Sequence, residues 1–318
     1  MPDLNPLSVA KTTVAPPQVL SVLRVASPAK VNLYLAVAGE RADGFHELVT
    51  VFERLALADE LILEPCETGV HVQCDAPQVP TDERNLIVQA AQLLQQHCGI
   101  SRGVAITLHK RIPVAAGLGG GSSNAATALR ALNAWWELGL SAADLLSLGR
   151  ELGADIPFFL QDSSFGLGVG RGDVVIPLPT AADFVLWHVL VTPPVALSTA
   201  DVYATWDTLG SAAGRANLLR LTQLIEGLVI GTVPLVGQML WNQLTPAAIR
   251  LAPEVQEAEE FLRRAGAEAV VMSGSGPTVM ALLRDEATAQ VLATTITQRC
   301  PTWQVHITRT HTARWGVV

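Results

Sequence analysis

Apolar residues recur at every second position from Val31 to Val37, the period of a strand with one buried face. Lys30, Asn32 and Tyr34 are then expected to share the opposite face. The run Gly39-Glu40-Arg41-Ala42-Asp43-Gly44 predicts a turn, and Leu48 to Leu57 a second strand, so the pair reads as a hairpin with a long tip. Phe45 and His46 stand where that tip rejoins the sheet. Helical periodicity covers Asn85 to Gln96, and alternation returns at Val104, Ile106 and Leu108 before the chain enters Lys110-Arg111-Ile112-Pro113. A glycine-rich loop from Gly117 to Gly121 leads into an Ala/Leu-rich helix from Ser122 to Trp136, which Gly139 stops. Ser141 and Asp144 form a capping box for the next helix, which ends at Gly153, just ahead of Asp155 and Pro157.

Past residue 180 the pattern changes to a strand at Phe184 to Val191, a Pro-Pro break at 193 and 194, and helices rich in Leu and Ala. The C-terminal order is a helix from Pro253, a strand Ala269 to Met272, a glycine-rich turn, a strand Thr278 to Leu283, a helix from Glu286 and a strand Gln304 to Thr308. That alternation predicts a two-layer α+β lobe. With 318 residues, the chain is expected to divide into domains at 1–180 and 181–318, with a cleft between them. Residues 1–20, which lack a basic start followed by an apolar block, read as a frayed tail.

Composition narrows the function classes. A net charge of −8 with scattered Lys and Arg provides no basic field, so nucleic acid is not an expected partner. Only Lys11, Lys30 and Lys110 are lysines, against eighteen arginines, so a lysine that remains is expected to have a specific task. Cys66, Cys74, Cys98 and Cys300 form no C-x-x-C pair and no metal spacing with histidines, which predicts reduced structural thiols. The longest apolar stretch, Gly227 to Leu240, is shorter than the roughly 18 to 20 residues a spanning helix needs, so no membrane partner is expected.

The strongest chemical signal is Pro113-Val-Ala-Ala-Gly117-Leu118-Gly119-Gly120-Gly121-Ser122-Ser123-Asn124, glycines delivered by a strand and leading straight into a helix. Glycine lets the backbone approach phosphate oxygens, and the free N–H groups and positive end of the helix attract the anion. A β-branched residue at Gly119 is therefore expected to abolish nucleotide binding and leave the fold intact. The loop is not a Walker A motif, because Ser122 stands where that motif needs lysine. A dinucleotide fingerprint can be laid on Gly117 and Gly119 only as a weak alternative, since Ser122 replaces the third glycine and no acidic residue ends a second strand nearby. Asp155 alone would be an ordinary helix-end residue, but Leu152-Gly-Ala-Asp155-Ile-Pro follows the loop by one helix pair, which can return a carboxylate to the same mouth. Ser273-Gly-Ser-Gly-Pro277-Thr278 is either a tight hairpin or a second wall of that cleft.

These two loops resemble the second and third motifs of GHMP kinases, and Ser27-Pro-Ala-Lys30-Val-Asn32 is similar to their N-terminal motif. Arg41-Ala-Asp-Gly-Phe45-His46-Glu-Leu, Asn85-Leu-Ile-Val, Leu152-Gly-Ala-Asp155-Ile-Pro and Asn242-Gln-Leu further resemble the branch that phosphorylates diphosphocytidyl-methylerythritol. Gln243 departs from the acidic residue frequent there, a change expected to matter little. The resemblance implies an α+β, two-lobed GHMP kinase fold, with an N-lobe of the ribosomal protein S5 domain 2-like type containing a left-handed βαβ unit, and a ferredoxin-like C-lobe. It implies a cytoplasmic kinase of the non-mevalonate isoprenoid route that uses ATP and Mg²⁺, with metal ligands and oligomeric state left open. Asp155 would take the proton of the hydroxyl, and Lys30 would orient it; Asn32 and Thr199 would hold substrate. Phe45 and Tyr203 would enclose the cytosine, with His46 on its edge. Asn85, Lys110, Pro113 and Asn124 would lie on the ATP side, with Gly117, Leu118, Gly119, Gly120, Gly121, Ser122 and Ser123 around the phosphates. The alternatives are a GHMP kinase for another alcohol and a nucleotide-binding regulator that has lost phosphoryl transfer.

Overall fold

The computed structural model describes residues 22–210 and 217–312; the expected N-terminal tail lies outside them. Two long antiparallel strands, β1 (Leu23–Glu40) and β2 (His46–Cys66), form the spine of a seven-stranded sheet. β2 outruns its expected end at Leu57 because the polar pair Asp59-Glu60 interrupts the pattern without interrupting the strand. Strand β3 (Val70–Cys74), helix α1 (Leu86–Cys98) and strand β4 (Gly103–His109) make a parallel β–α–β unit against the second half of β2. Helices α2 (Gly120–Trp135), α3 (Ala142–Leu152) and α4 (Ile156–Phe159) follow, and the hairpin β5 (Phe165–Gly170) and β6 (Val174–Pro177) pairs with the first half of β2.

A four-stranded antiparallel sheet is built from β7 (Trp187–Thr192), β9 (Ala269–Met272), β10 (Val279–Leu283) and β11 (Gln304–Arg309), in the order β11-β7-β10-β9. This is the ferredoxin-like order. Helices α5 (Thr199–Leu209), α6 (Leu218–Ile230), α7 (Val233–Met239), α8 (Thr245–Leu251), α9 (Glu254–Arg264) and α10 (Glu286–Arg299) fill the connections. The short strand β8 (Trp241–Asn242) returns to pair in parallel with β1 at Tyr34 and Leu35.

The alternation along β1 conceals a change of face. Asn32 pairs with Phe52 and Tyr34 with Val51, so Leu33 is an extra residue, a bulge. Val31 and Leu33 enter one core with Tyr34 and Ala36, whereas Leu35 and Val37 enter another. Tyr34 therefore does not share the face of Lys30 and Asn32 as the period-two reading expects. Its hydroxyl accepts from the Asn217 N–H (3.0 Å), and burial pushes its phenol pKa up.

The core around Val31 and Leu33 also contains Leu186, Leu190, Leu224, Val236 and Met280, so apolar contact is continuous between the two sheets. A buried polar link reinforces it. His188 of β7 and Glu53 of β2 are both 0% exposed, and the His188 Nε2 lies 3.0 and 2.9 Å from the two Glu53 carboxylate oxygens. The Thr310 hydroxyl donates to the same carboxylate at 2.7 Å.

Removing one member of such a pair strands the other in an apolar core. His188→Leu should lower unfolding free energy by about 3–5 kcal/mol, and Glu53→Leu combined with it should recover most of that loss. Urea denaturation of both single variants and the double variant checks this; losses that simply add would mean the pair is uncoupled.

Candidate active site

The cleft, with a volume of about 1200 Å³, is lined by residues of the seven-stranded sheet, both glycine loops and α5. Lys30 is buried at its floor. Its ammonium donates to Asn32 Oδ1 (2.7 Å) and lies 3.6 Å from Asp155 Oδ2, with Phe52's ring centroid 5.7 Å away. An ammonium this buried needs a compensating anion, and Asp155, the N-cap residue of α4, supplies it while keeping its side chain 33% exposed to the cleft. The Asn32 amide donates in turn to Thr50 Oγ1 (2.7 Å), which donates to the Tyr34 carbonyl, so the Asn32 oxygen is held toward Lys30.

The first glycine loop lies directly on Lys30, whose N–H donates to the Leu118 carbonyl at 3.0 Å. Gly119 has φ +67°, and a Cβ there would sit 2.9 Å from Lys30 Cγ. At Gly117, φ +74°, a Cβ would sit 2.3 Å from the Ser273 carbonyl oxygen, so the two loops touch backbone to backbone. Ser273 Oγ donates to the Gly117 carbonyl (3.0 Å), and the Asn242 amide donates to the Met272 and Gly274 carbonyls at 2.8 and 2.7 Å. Gln243 Oε1 accepts from the Val37 N–H at 2.8 Å, so glutamine supplies the acceptor that β1 needs there. Helix α2 starts at Gly120 with no side-chain cap, so its first-turn N–H groups are available to an anion in the cleft.

Behind this loop stands Asp59, 1% exposed, which accepts from Lys110 Nζ, from the Arg111 and Ile112 N–H groups (2.8 and 2.9 Å), and from the Asn124 amide (2.9 Å). Asn124 also donates to Ser27 Oγ at 2.9 Å. The Asn85 side chain caps α1, accepting from the Ile87 N–H and donating to the Pro80 carbonyl. Lys110, Asn124 and Asn85 thus line the cleft with side chains already committed to protein partners. Pro113, Gly117, Leu118, Gly119, Gly120, Gly121 and Ser122 line it as well. Ser123 does not: it is 0% exposed, and its hydroxyl faces Ser27 Oγ at 2.8 Å.

At the far end, Phe45, His46, Thr199 and Tyr203 line the same cleft. The His46 ring lies 4.8 Å from that of Tyr203 at 31°, and its Nε2 is 2.8 Å from Asp207 Oδ1. Arg171 covers Phe45 at 5.0 Å, and Thr199 Oγ1 lies 2.9 Å from Ser275 Oγ on the second loop. Burial, aided by the negative Asp155 carboxylate, pushes the Tyr203 phenol far up and keeps it neutral. The aromatic wall and the carboxylate are therefore electrostatic neighbours.

Sequence reasoning misses Asp59, Asp207 and Arg171. Asp59 carries one signal, a carboxylate inside an otherwise apolar run, but the second strand is expected to end two residues earlier. Asp207 falls one helical turn after Tyr203, a spacing that could have suggested a partner for the aromatic wall. Nothing in the spacing of Arg171 points to Phe45.

The GHMP kinases N terminal domain model matches residues 85–163 and the GHMP kinases C terminal model matches 224–302. A 4-diphosphocytidyl-2-C-methyl-D-erythritol kinase from Gloeobacter violaceus is 41% identical over 86% of this chain and 89% of its own length. One from Shouchella clausii is 39% identical over 83% of this chain and 86% of its own. A crystal structure of 4-(cytidine 5'-diphospho)-2C-methyl-D-erythritol kinase superposes with a TM-score of 0.77 at 34% identity, covering 91% of this chain and all of that one. A homoserine kinase from Cytophaga hutchinsonii, at 21% identity and TM-score 0.74, shares the fold and covers 98% of this chain and 99% of its own. With both lobes matched and the two glycine loops meeting over Lys30 and Asp155, the chain belongs to the 4-diphosphocytidyl-2-C-methyl-D-erythritol kinase family of GHMP kinases.

Proposed function

We propose that the Lys30–Asp155 pair carries the transfer of the ATP γ-phosphate to the 2-hydroxyl of 4-diphosphocytidyl-2-C-methyl-D-erythritol, a step toward isoprenoid precursors. The observation that carries this reading is the convergence, in one cleft, of an uncapped helix start, that buried pair and the Phe45–His46–Tyr203 wall. Asp155 accepts the hydroxyl proton as the oxygen bonds to the γ-phosphorus and the bond to the β-phosphate oxygen breaks, releasing ADP. Lys30 holds the carboxylate turned to the acceptor. Asn32 and Thr199 orient the erythritol unit, Phe45 and Tyr203 enclose the cytosine, and His46 borders its edge. Gly117 to Ser122 cradle the phosphates, with Asp59 holding the loop from behind through Lys110 and Asn124. Such a transfer needs positioning and charge stabilisation more than covalent chemistry.

Among the described residues no cluster of three or more His, Cys, Asp or Glu could hold a metal, which fits Mg²⁺ bound mainly through nucleotide phosphates and water. The Ser122 hydroxyl on the cleft wall is a hard oxygen donor that would help complete its shell, and the ion would neutralise charge on the phosphates. We read the enzyme as cytoplasmic; among the described residues no helix is long and apolar enough to cross a membrane.

An ATP-dependent phosphorylation assay with diphosphocytidyl-methylerythritol, mevalonate and homoserine tests the substrate, and only the first should turn over. Tyr203→Ala should raise KM for it by about 5- to 150-fold with little change in kcat, the value of one stacked face at about 1–3 kcal/mol. A pure kcat effect would contradict the wall.

Asp155→Asn is nearly isosteric and should lower kcat by about 10²- to 10⁴-fold, with ATP and substrate affinities little changed. Wild-type kcat in that variant would reduce Asp155 to a helix-end residue.

Gly119 is not the clean probe of the phosphate loop that the sequence suggests, because a Cβ there strikes Lys30 and the residue has left-handed backbone. Gly121 is: a Cβ there meets nothing nearer than Leu86 Cδ1 at 3.8 Å. In a helix that Cβ tilts toward the N-terminus, where the anion sits. Gly121→Val should therefore weaken ATP binding about tenfold or more by calorimetry, the worth of one charge-assisted hydrogen bond. Its thermal midpoint should not fall.

A further inference from the structure

We propose that Arg54 is a positioning residue for Asp155, acting through α4; the inference rests on the reading of Asp155 as the proton acceptor. Arg54 lies directly across from Lys30 in the β1–β2 register, and it is 2% exposed. Among the described residues no carboxylate pairs with it. Its acceptors are main-chain carbonyls instead: Nη2 donates to Phe158 O at 3.1 Å, to Phe159 O at 3.5 Å and to Gln161 O. Phe158 and Phe159 are the last two residues of α4 and Gln161 follows its C-cap Leu160, while Asp155 is the N-cap residue at the other end. Arg54 therefore grips, beside Arg130 on the Leu160 carbonyl (3.2 Å), one end of a one-turn helix that carries the carboxylate at the other.

Such a helix cannot hold its own shape, because four residues are too few to offset the cost of nucleation. Pro157 restricts its start, and Arg54 satisfies its end with a charge that matches the negative pole of the helix. Burial pushes the guanidinium pKa down to about 10, which still leaves it protonated at neutral pH. The underside is shared as well. Phe52 stacks on Phe158 at 4.9 Å and 25°, with Lys30 Nζ 5.7 Å from the first ring and Arg54 Cζ 5.5 Å from the second. Lys30 and Arg54 thus brace the two ends of one aromatic layer on which α4 rests. The 3.6 Å separation between Lys30 and Asp155 depends on α4 remaining there.

The test is a double-mutant cycle in the full-length enzyme, with Arg54→Met and Arg54→Lys made in wild-type and Asp155→Asn backgrounds and residual ADP formation followed over long incubations. Arg54→Met should lower kcat about tenfold or more while both KM values stay within about twofold, because small misplacements of a reacting group cost rate and not ground-state affinity. Arg54→Lys, which keeps the cation but loses the fork, should fall between. In the Asp155→Asn background neither change should lower kcat further, since residues acting as one unit are non-additive. A role confined to stability would leave kcat of the folded enzyme unchanged or give multiplicative losses in both backgrounds, and either result overturns the proposal. If Arg54→Met does not fold, the Arg54→Lys cycle separates the same outcomes. An Asp155→Asn enzyme with wild-type kcat would remove the reading of Asp155 and this inference with it. A nearly inactive Asp155→Asn enzyme with a multiplicative Arg54 effect would remove the inference alone.

Discussion

The structure turns on one buried ammonium. Lys30 is 3% exposed, and a charge so placed is tolerated only where the surroundings replace water. Asn32 does so from the same strand, Asp155 from α4 and the Phe52 ring from below. The first glycine loop roofs it because Gly119 has no side chain to collide with the lysine stem. Each partner comes from a different part of the N-lobe, so satisfying one charge determines where the hairpin, α4 and the phosphate loop must sit relative to one another.

The features legible in the sequence are those whose signal is local. Glycine loops at 117–121 and 273–276 and the Ser141–Asp144 capping box need only residue type and short spacing to be recognised. The strand Ala269–Met272 has the same bounds in sequence and structure for the same reason. What stays hidden depends on distant partners. The extra residue at Leu33 is visible only in the register with β2, and it sends Tyr34 into the opposite core. The hairpin β5–β6 escapes notice because Phe-Gly-Leu-Gly-Val-Gly looks like a loop until β2 offers it a pairing edge. Asp59 looks like a surface charge, yet it is the acceptor that gathers Lys110, Asn124 and the turn at 111–112 behind the phosphate loop. Ser123 belongs with the glycine loop by sequence, but the helix turns it inward onto Ser27.

β2 transmits order in two directions at adjacent residues. Glu53 reaches His188 and Thr310 on the C-terminal sheet, and Arg54 reaches the end of α4. Together with the core that runs between both sheets, this ties α4 and Asp155 to the sheet that supplies the second glycine loop. Domains joined by small polar interfaces are expected to move freely; a continuous apolar core with a buried ionisable pair opposes that. The cleft is therefore largely pre-formed.

Its two ends are built by different means. Around the first glycine loop the wall is backbone, and the nearby polar side chains are committed to Asp59, Ser27 and Pro80. Substituting those committed side chains disturbs the fold as well as the cleft. At the far end the wall is Phe45, Tyr203 and His46 with Asp207, side chains at a hairpin tip and on one helix. These can change without moving the phosphate cradle. The glycine-loop end is constrained by packing between loops, whereas the aromatic end is free to vary with what it must enclose.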